Sequence, residues 1–251
     1  MLGIRAQEIL AESIESGIPL EKMIEQDANV PVIVPEKSRK DQVCRIEDYI
    51  TPALSGKHMC YPDKVRDFMT SLFGETYALF KEKINFKWPG GGAFPHHQDY
   101  PAYGFLAPKT HATAMLTIDP ATTENGCLQV ALDWTAAMSG CEGIDMDKLS
   151  SGTAVIPFCE GGAENGSIKP DYVKKFTWAE VHTTPDQLLI FSSFLPHYSL
   201  VNSCNKARRA MFLTHNRLSE GEQRKFYYDK KRNDPNNPMF HIATPTQHSA
   251  M

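Results

Sequence analysis

The stretch Phe94-Pro95-His96-His97-Gln98-Asp99-Tyr100 decides the fold. It follows a run from Tyr77 to Trp88 that alternates like a strand, then the breaker Pro89-Gly90-Gly91-Gly92. In an extended chain, residues i and i+2 point to the same side. His97 and Asp99 therefore converge, while His96 faces the other way and reads as a loop histidine. One further histidine from a distant strand would complete a three-donor set. His197 stands in Phe194-Leu195-Pro196-His197-Tyr198-Ser199, after the apolar run Leu188-Leu189-Ile190-Phe191. Further along, Arg208 heads another strand-like run. Its neighbour Arg209 faces apart and reads as a surface or structural contact.

Two imidazoles and one carboxylate on one face leave three positions open on an octahedral ion. That is the donor set of non-haem Fe(II) oxygenases. Two open positions suit a bidentate 2-oxo acid and the third suits O2. Such an acid carries a second carboxylate, and Arg208 is placed to be its bidentate partner. Lys87 lies on a predicted core strand, where an unpaired lysine is costly. It is a candidate for a carboxylate of the co-substrate or of an acidic substrate, an exposed strand end being the alternative. Asn85 shares that face and is a candidate for the same region. Tyr100 and Tyr103 are candidates to line a substrate pocket, with plain packing as the alternative. The same three donors would also suit Zn2+ with one open water position, as in a cupin-like hydrolase or sensor. Arg208 has no purpose in such a site.

With these residues in place, the chain resembles the phytanoyl-CoA dioxygenase (PhyH-like) superfamily of Fe(II)/2-oxoglutarate-dependent oxygenases. His97-Gln98-Asp99, Glu124-Asn125-Gly126-Cys127-Leu128, Pro196-His197 with Ser199, and Arg208-Arg209 follow the family's order and spacing. The branch that includes 2-aminoethylphosphonate hydroxylases looks closest. Lys81 to Gly91, and Ser219-Glu220-Gly221 followed by Tyr227-Tyr228, carry that likeness. The resemblance implies iron on His97, Asp99 and His197. It implies the distal carboxylate of 2-oxoglutarate on Arg208, with Ser199 as a supporting hydroxyl. The implied reaction is hydroxylation of an unactivated C–H of a small polar metabolite, with 2-oxoglutarate and O2 converted to succinate and CO2. A larger natural-product intermediate is the alternative, because Gln129-Val130-Ala131-Leu132-Asp133-Trp134 stands where the family often has Gly-Ser-His. Asp99, in place of Ala or Gly, favours hydroxylation over halogenation.

The 251 residues are 41% hydrophobic and 22% charged, which excludes a disordered chain and leaves room for one domain with a real core. The net charge of −4 implies no basic face, so a small molecule is the expected partner rather than nucleic acid or membrane. Six cysteines without paired spacing and an N-terminus unlike a signal peptide point to the cytoplasm. The expected fold is mainly β with flanking helices, a double-stranded β-helix (jelly-roll, cupin-like) core in a single domain. Residues 1–75 read as a helical support without chemistry, 76–230 as the core and 231–251 as a tail. Helices are expected at 2–15, with Ile4, Ile9, Leu10 and Ile14 on one face, near 46–55, and at 62–73, with Val65, Phe68, Met69 and Leu72 as the stripe. Strand-like runs lie at 77–88, 112–118, 127–131, 153–157, 187–192 and 209–216. Trp134 and Trp178 read as packing residues, and Lys230-Lys231-Arg232 as solvated charge.

Overall fold

A computed structural model describes residues 2–27, 30–36, 39–50, 63–106, 109–234, 237 and 240. The larger sheet runs β1 (Val32–Pro35), β2 (Val43–Glu47), β3 (Tyr77–Lys87), β10 (Arg208–Arg217), β5 (His111–Thr117) and β8 (Leu188–Ser192), in that spatial order. The smaller runs β4 (Phe94–His97), β9 (His197–Ser199), β6 (Leu128–Leu132) and β7 (Thr177–Val181). All pairings are antiparallel. Met115, Phe191, Ala210 and Phe212 of the larger sheet pack on Leu128, Val130 and Val181 of the smaller. The result is the double-stranded β-helix that the sequence implies.

Period-two alternation explains the long strand β3. Ile84 and Phe86 point outward into a cluster with Ala6, Ile9 and Leu10 of helix α1 (Leu2–Ser16) and Leu20 and Ile24 of α2 (Leu20–Gln26). Truncating a buried ring such as Phe86 costs about 3–5 kcal/mol. Lys81, Lys83, Asn85 and Lys87 occupy the opposite face. The pairing with β10 slips between Thr214 and His215, leaving Phe80 without a partner across the ladder. Through this bulge Phe80 packs on the same Tyr103 and Tyr227 rings that lie under the Lys81 ammonium.

Several expectations are corrected. The helix expected near 46–55 begins as strand: Ile46 and Glu47 end β2, and residues 51–55 lie outside the described region. Paired on both edges and largely buried, β2 has no clean alternation to distinguish it from a helix. The support at 1–75 thus contributes two strands. In α1 the buried stripe is Ala6, Ile9 and Leu10, while Ile4 and Ile14 are exposed. Helix α3 (Asp63–Phe73) buries Met69 and packs Val65, leaving Phe68 and Leu72 exposed. Residues 153–157 form no strand, because Gln98 takes up their backbone instead: Ile156 N–H donates to Gln98 Oε1 at 2.8 Å, and Gln98 Nε2 donates to Ala154 O at 3.1 Å. Short helices α4 (Trp134–Met138), α5 (Met146–Ser150) and α6 (Pro170–Val173) cover the outside of the smaller sheet, with Trp134 and Trp178 in that cluster.

The C-terminal helix α7 (Arg224–Asn233) is held by charge. Fully buried Glu82 accepts from Arg224, from the Ile50 N–H at 3.0 Å and from the Tyr228 hydroxyl. Asp48 accepts from Arg224 at 2.8 Å and from Arg232 at 2.6 Å. The Lys230-Lys231-Arg232 run is therefore not uniformly solvated: Lys231 is buried and Arg232 paired, while Lys230 stays exposed. Among the described residues no helix is long and apolar enough to cross a membrane.

Gln98 also donates to Phe194 O at 2.6 Å, tying the segment of His97 to the loop before His197. Gln98→Leu strands three buried backbone groups and should lower the free energy of unfolding by about 2–5 kcal/mol. Urea midpoints at unchanged slope check this.

Candidate active site

Antiparallel pairing of β4 with β9 sets His97 opposite His197. Their ring centroids are 4.2 Å apart, and His97 Nε2 lies 3.9 Å from Asp99 Oδ1. Each imidazole is fixed by its own chain: His97 Nδ1 meets Pro95 O at 2.7 Å and His197 Nδ1 meets Leu195 O at 2.9 Å. With Nδ1–H donating to a carbonyl, Nε2 is left with its lone pair, the tautomer a metal needs. One donor atom from each of His97, Asp99 and His197 lies within 4.8 Å of the others, and all three residues are buried. Burial, and then the neighbouring His197, draw His97 down to about 3. Burial also lowers His197. Burial opposes ionisation of Asp99, but Lys83 and the two histidines outweigh it and hold the carboxyl well below its usual range. The triad is thus two neutral imidazoles and one carboxylate, a set that fits a divalent metal.

A second polar group bridges the sheets at one end of the barrel. Lys87 and Arg208 face each other across β3 and β10 and are both buried. Lys87 Nζ donates to Ser199 Oγ at 2.8 Å and to the Leu200 carbonyl. Arg208 Nη2 donates to Gly126 O at 2.6 Å, and its Nε has no partner among the described residues. Burial lowers both, Arg208 to about 10, and for Lys87 the neighbouring Arg208 adds to it. Two buried cations with donors to spare form a ready anion seat. Gly126 has φ of +70°, and a Cβ there would clash with the Leu200 carbonyl oxygen and Lys87 Nζ. The glycine keeps this corner open.

The pocket beside the triad is lined by Arg45, Lys81, Lys83, Phe94, His97, Asp99, Ala102, Tyr103, Tyr227 and Phe240. Its basic wall was not read from the sequence. Lys81 and Lys83 lie on the face of Lys87, so alternation could have found them. Arg45 comes from a distant strand with no local signal. Glu47, fully buried, contacts Arg45 Nε at 2.7 Å, Lys231 Nζ at 2.7 Å and Lys81 Nζ at 3.7 Å. The Arg45 approach is an ion pair without hydrogen-bond alignment. Burial disfavours the Glu47 carboxylate, but Lys231, Lys81 and Arg45 together keep it ionised. Burial also draws Lys83 to about 8 and Lys231 to about 7.

The structure separates the remaining candidates. Tyr103 lines the pocket, whereas Tyr100 stacks on Phe194 with centroids 4.2 Å apart. Asn85 is buried between Lys83 and Lys87, outside the pocket lining, with Oδ1 unpartnered among the described residues. His96 packs on Tyr198 and Trp178, and Arg209 grips Asp119 through two bonds of 2.7 and 2.8 Å. Cys127, Glu180 and His182 form a second donor group, in which Glu180 and His182 are exposed and hydrogen-bonded to Thr123.

Residues 34–133 match the family model described as Phytanoyl-CoA dioxygenase (PhyH). A 2-aminoethylphosphonate dioxygenase from uncultured bacterium HF130_AEPn_1 is 36% identical over 190 residues, covering 76% of this chain and 65% of that protein. A methylphosphonate hydroxylase from Gimesia maris is 38% identical over 169 residues, covering 67% of this chain and 56% of that protein. The chain therefore spans less than two thirds of the length of these relatives. The crystal structure of EctD from S. alaskensis with 2-oxoglutarate and 5-hydroxyectoine shares the fold, with a TM-score of 0.58 at 15% identity over 85% of this chain and 69% of that one.

The buried histidines make stability depend on pH. His97, His111 and His215 titrate at about 3, 4 and 4 when folded, against 6.5 for the free group. Unfolding near pH 5.5 then takes up about three protons from these groups. From these groups, stability of the metal-free protein should fall between pH 6.5 and 4, most steeply near pH 5.5, where the slope approaches about 4 kcal/mol per pH unit. Urea unfolding across that range measures the slope.

Proposed function

We propose that this chain, which carries a phytanoyl-CoA dioxygenase (PhyH) family domain, is an Fe(II)/2-oxoglutarate-dependent dioxygenase that hydroxylates a small acidic metabolite of the phosphonate class. One observation carries the reading: a buried two-histidine, one-carboxylate triad lies in the same barrel as a separate buried Lys87–Arg208 anion seat. A zinc hydrolase would need the first and has no use for the second. His97, Asp99 and His197 would hold Fe(II), and Arg208 with Lys87 would hold the distal carboxylate of 2-oxoglutarate, Ser199 orienting the Lys87 ammonium. When bound, the metal and co-substrate supply an oxidant from O2 strong enough for an unactivated C–H, with succinate and CO2 as the by-products.

The chain's own task is positioning. Arg45, Lys81 and Lys83 would draw the acidic end of the substrate to the basic wall. The rings of Phe94, Tyr103, Tyr227 and Phe240 exclude water around the reacting carbon. The names of the two relatives support phosphonate as the acid. A cytoplasmic location belongs to the same proposal and is supported by free thiols at Cys44, Cys127, Cys141, Cys159 and Cys204.

Under nitrogen, Fe(II) with 2-oxoglutarate should give a weak visible charge-transfer band. Asp99→Ala should abolish the band by losing the metal. Arg208→Ala should keep iron but weaken 2-oxoglutarate binding at least about 30-fold, as expected for removing one member of a buried charged contact. An iron-loaded protein without the band, or an Arg208→Ala variant with unchanged affinity, overturns the assignment.

A further inference from the structure

Lys231 is the one member of the basic cluster that does not line the pocket. It comes from α7, beneath the rings of Tyr227 and Phe240, which do. Its ammonium meets Glu47 Oε2 at 2.7 Å, nearer than Lys81 at 3.7 Å on the same oxygen, while Glu47 Oε1 faces Arg45. Glu47 is thus approached from two sides: by wall cations in front and by Lys231 from the rear.

The charge count turns on that rear contact. Around this pocket the described residues place four basic side chains, Arg45, Lys81, Lys83 and Lys231, against two carboxylates, Glu47 and Asp99, of which Asp99 also faces the triad histidines. Without Lys231, Glu47 would neutralise one unit of wall charge and hold Arg45 and Lys81 back from a ligand. With Lys231 on it, Glu47 still orients those two groups, and more of their positive charge is left to face the pocket. A singly charged acid leaves most of that charge uncompensated in a desolvated place, and a doubly charged one relieves it.

We propose that the Lys231–Glu47 pair is a positioning device that sets this pocket to select a doubly ionised tetrahedral head group over a singly charged one of the same shape. The inference rests on the function proposed above and adds to it which charge state is selected and which residues outside the pocket select it. Lys231 acts through Glu47 and touches no reacting atom.

Phosphonate and sulfonate are near-isosteric, and only the phosphonate can take a second negative charge near neutral pH, so the pair 2-aminoethylphosphonate and 2-aminoethylsulfonate at pH 7 tests the device. Calorimetry on the full chain, loaded with Fe(II) and 2-oxoglutarate under nitrogen, reads binding. Succinate release in air reads turnover separately. The phosphonate should bind at least about 30-fold tighter than the sulfonate. Lys231→Met should collapse that ratio to about 3-fold or less, chiefly by weakening the phosphonate. Its KM should rise, with kcat at saturation and 2-oxoglutarate affinity held within about 2-fold. Lys231→Arg, which keeps the charge, should retain the preference and shows whether a failed Lys231→Met is merely misfolded. Equal binding of the two acids by the unmodified protein, or a ratio unchanged in Lys231→Met, overturns the inference. Selective phosphonate binding without succinate supports the inference and refutes the oxygenase reading.

Discussion

Desolvated positive charge on the inner face of β3 is the constraint to which the rest of the structure answers. Burying an isolated ammonium costs several kcal/mol even after relaxation. Strand β3 turns three lysines inward at alternate positions, and each is compensated by a different element. Lys87 is bonded by Ser199 and Leu200, in and just after β9. Lys83 lies 4.9 Å over the ring of Phe212, its neighbour across β10, and near the Asp99 carboxylate. Lys81 has Glu47 of β2 and the rings of Tyr103 and Tyr227. Strands from both sheets and the C-terminal helix are thereby tied to one strand. What remains uncompensated faces the triad, where an anionic ligand would complete the balance.

The triad is built by a more local rule. In both histidine segments the ring is held by the carbonyl two residues back, Pro95 for His97 and Leu195 for His197. Orientation therefore follows from each local backbone segment, and the sheet register supplies proximity. That division explains why the site was legible. A two-residue spacing in extended chain predicts convergence without knowledge of the fold, and His97 with Asp99 was found that way. The placement of His96 and Arg209 follows from the same alternation, and each makes the contact its opposite-facing position implies.

What was not legible depends on pairing across long separations. Arg45 reaches the pocket because β2 joins β3 with Arg45 opposite Asn85, which no local pattern encodes. The run Lys230-Lys231-Arg232 is as polar as a solvated helix face, so composition favours exposure. Its burial is possible only because Glu47 and Asp48, some 180 positions earlier, are waiting as partners. Strand β2 escapes a local reading for a related reason: it is largely buried on both faces, and the charge of Glu47 within it is matched by lysines distant in sequence. The exposed Ile4 and Ile14 show the converse error, since an apolar residue on a helix is not obliged to face the core.

These contrasts divide the molecule by the kind of chemistry each part controls. The proposed metal and co-substrate contacts would come from β3, β4 with the turn after it, β9 and β10, inside the barrel. The basic wall is completed from outside, by β2 at the sheet edge and by α7 near the C-terminus. Asp48, just after β2, joins these two outer segments through Arg224 and Arg232, and Glu82 of β3 holds Arg224 to the barrel. Substitutions in these two segments can change which acid is admitted without moving a metal donor. Substitutions on the inner face of β3 would bear on the co-substrate seat as well, because the strand that carries Lys81 and Lys83 also carries Lys87. Divergence in substrate should therefore concentrate in β2 and α7, the two elements whose polar patterns are hardest to interpret from sequence alone.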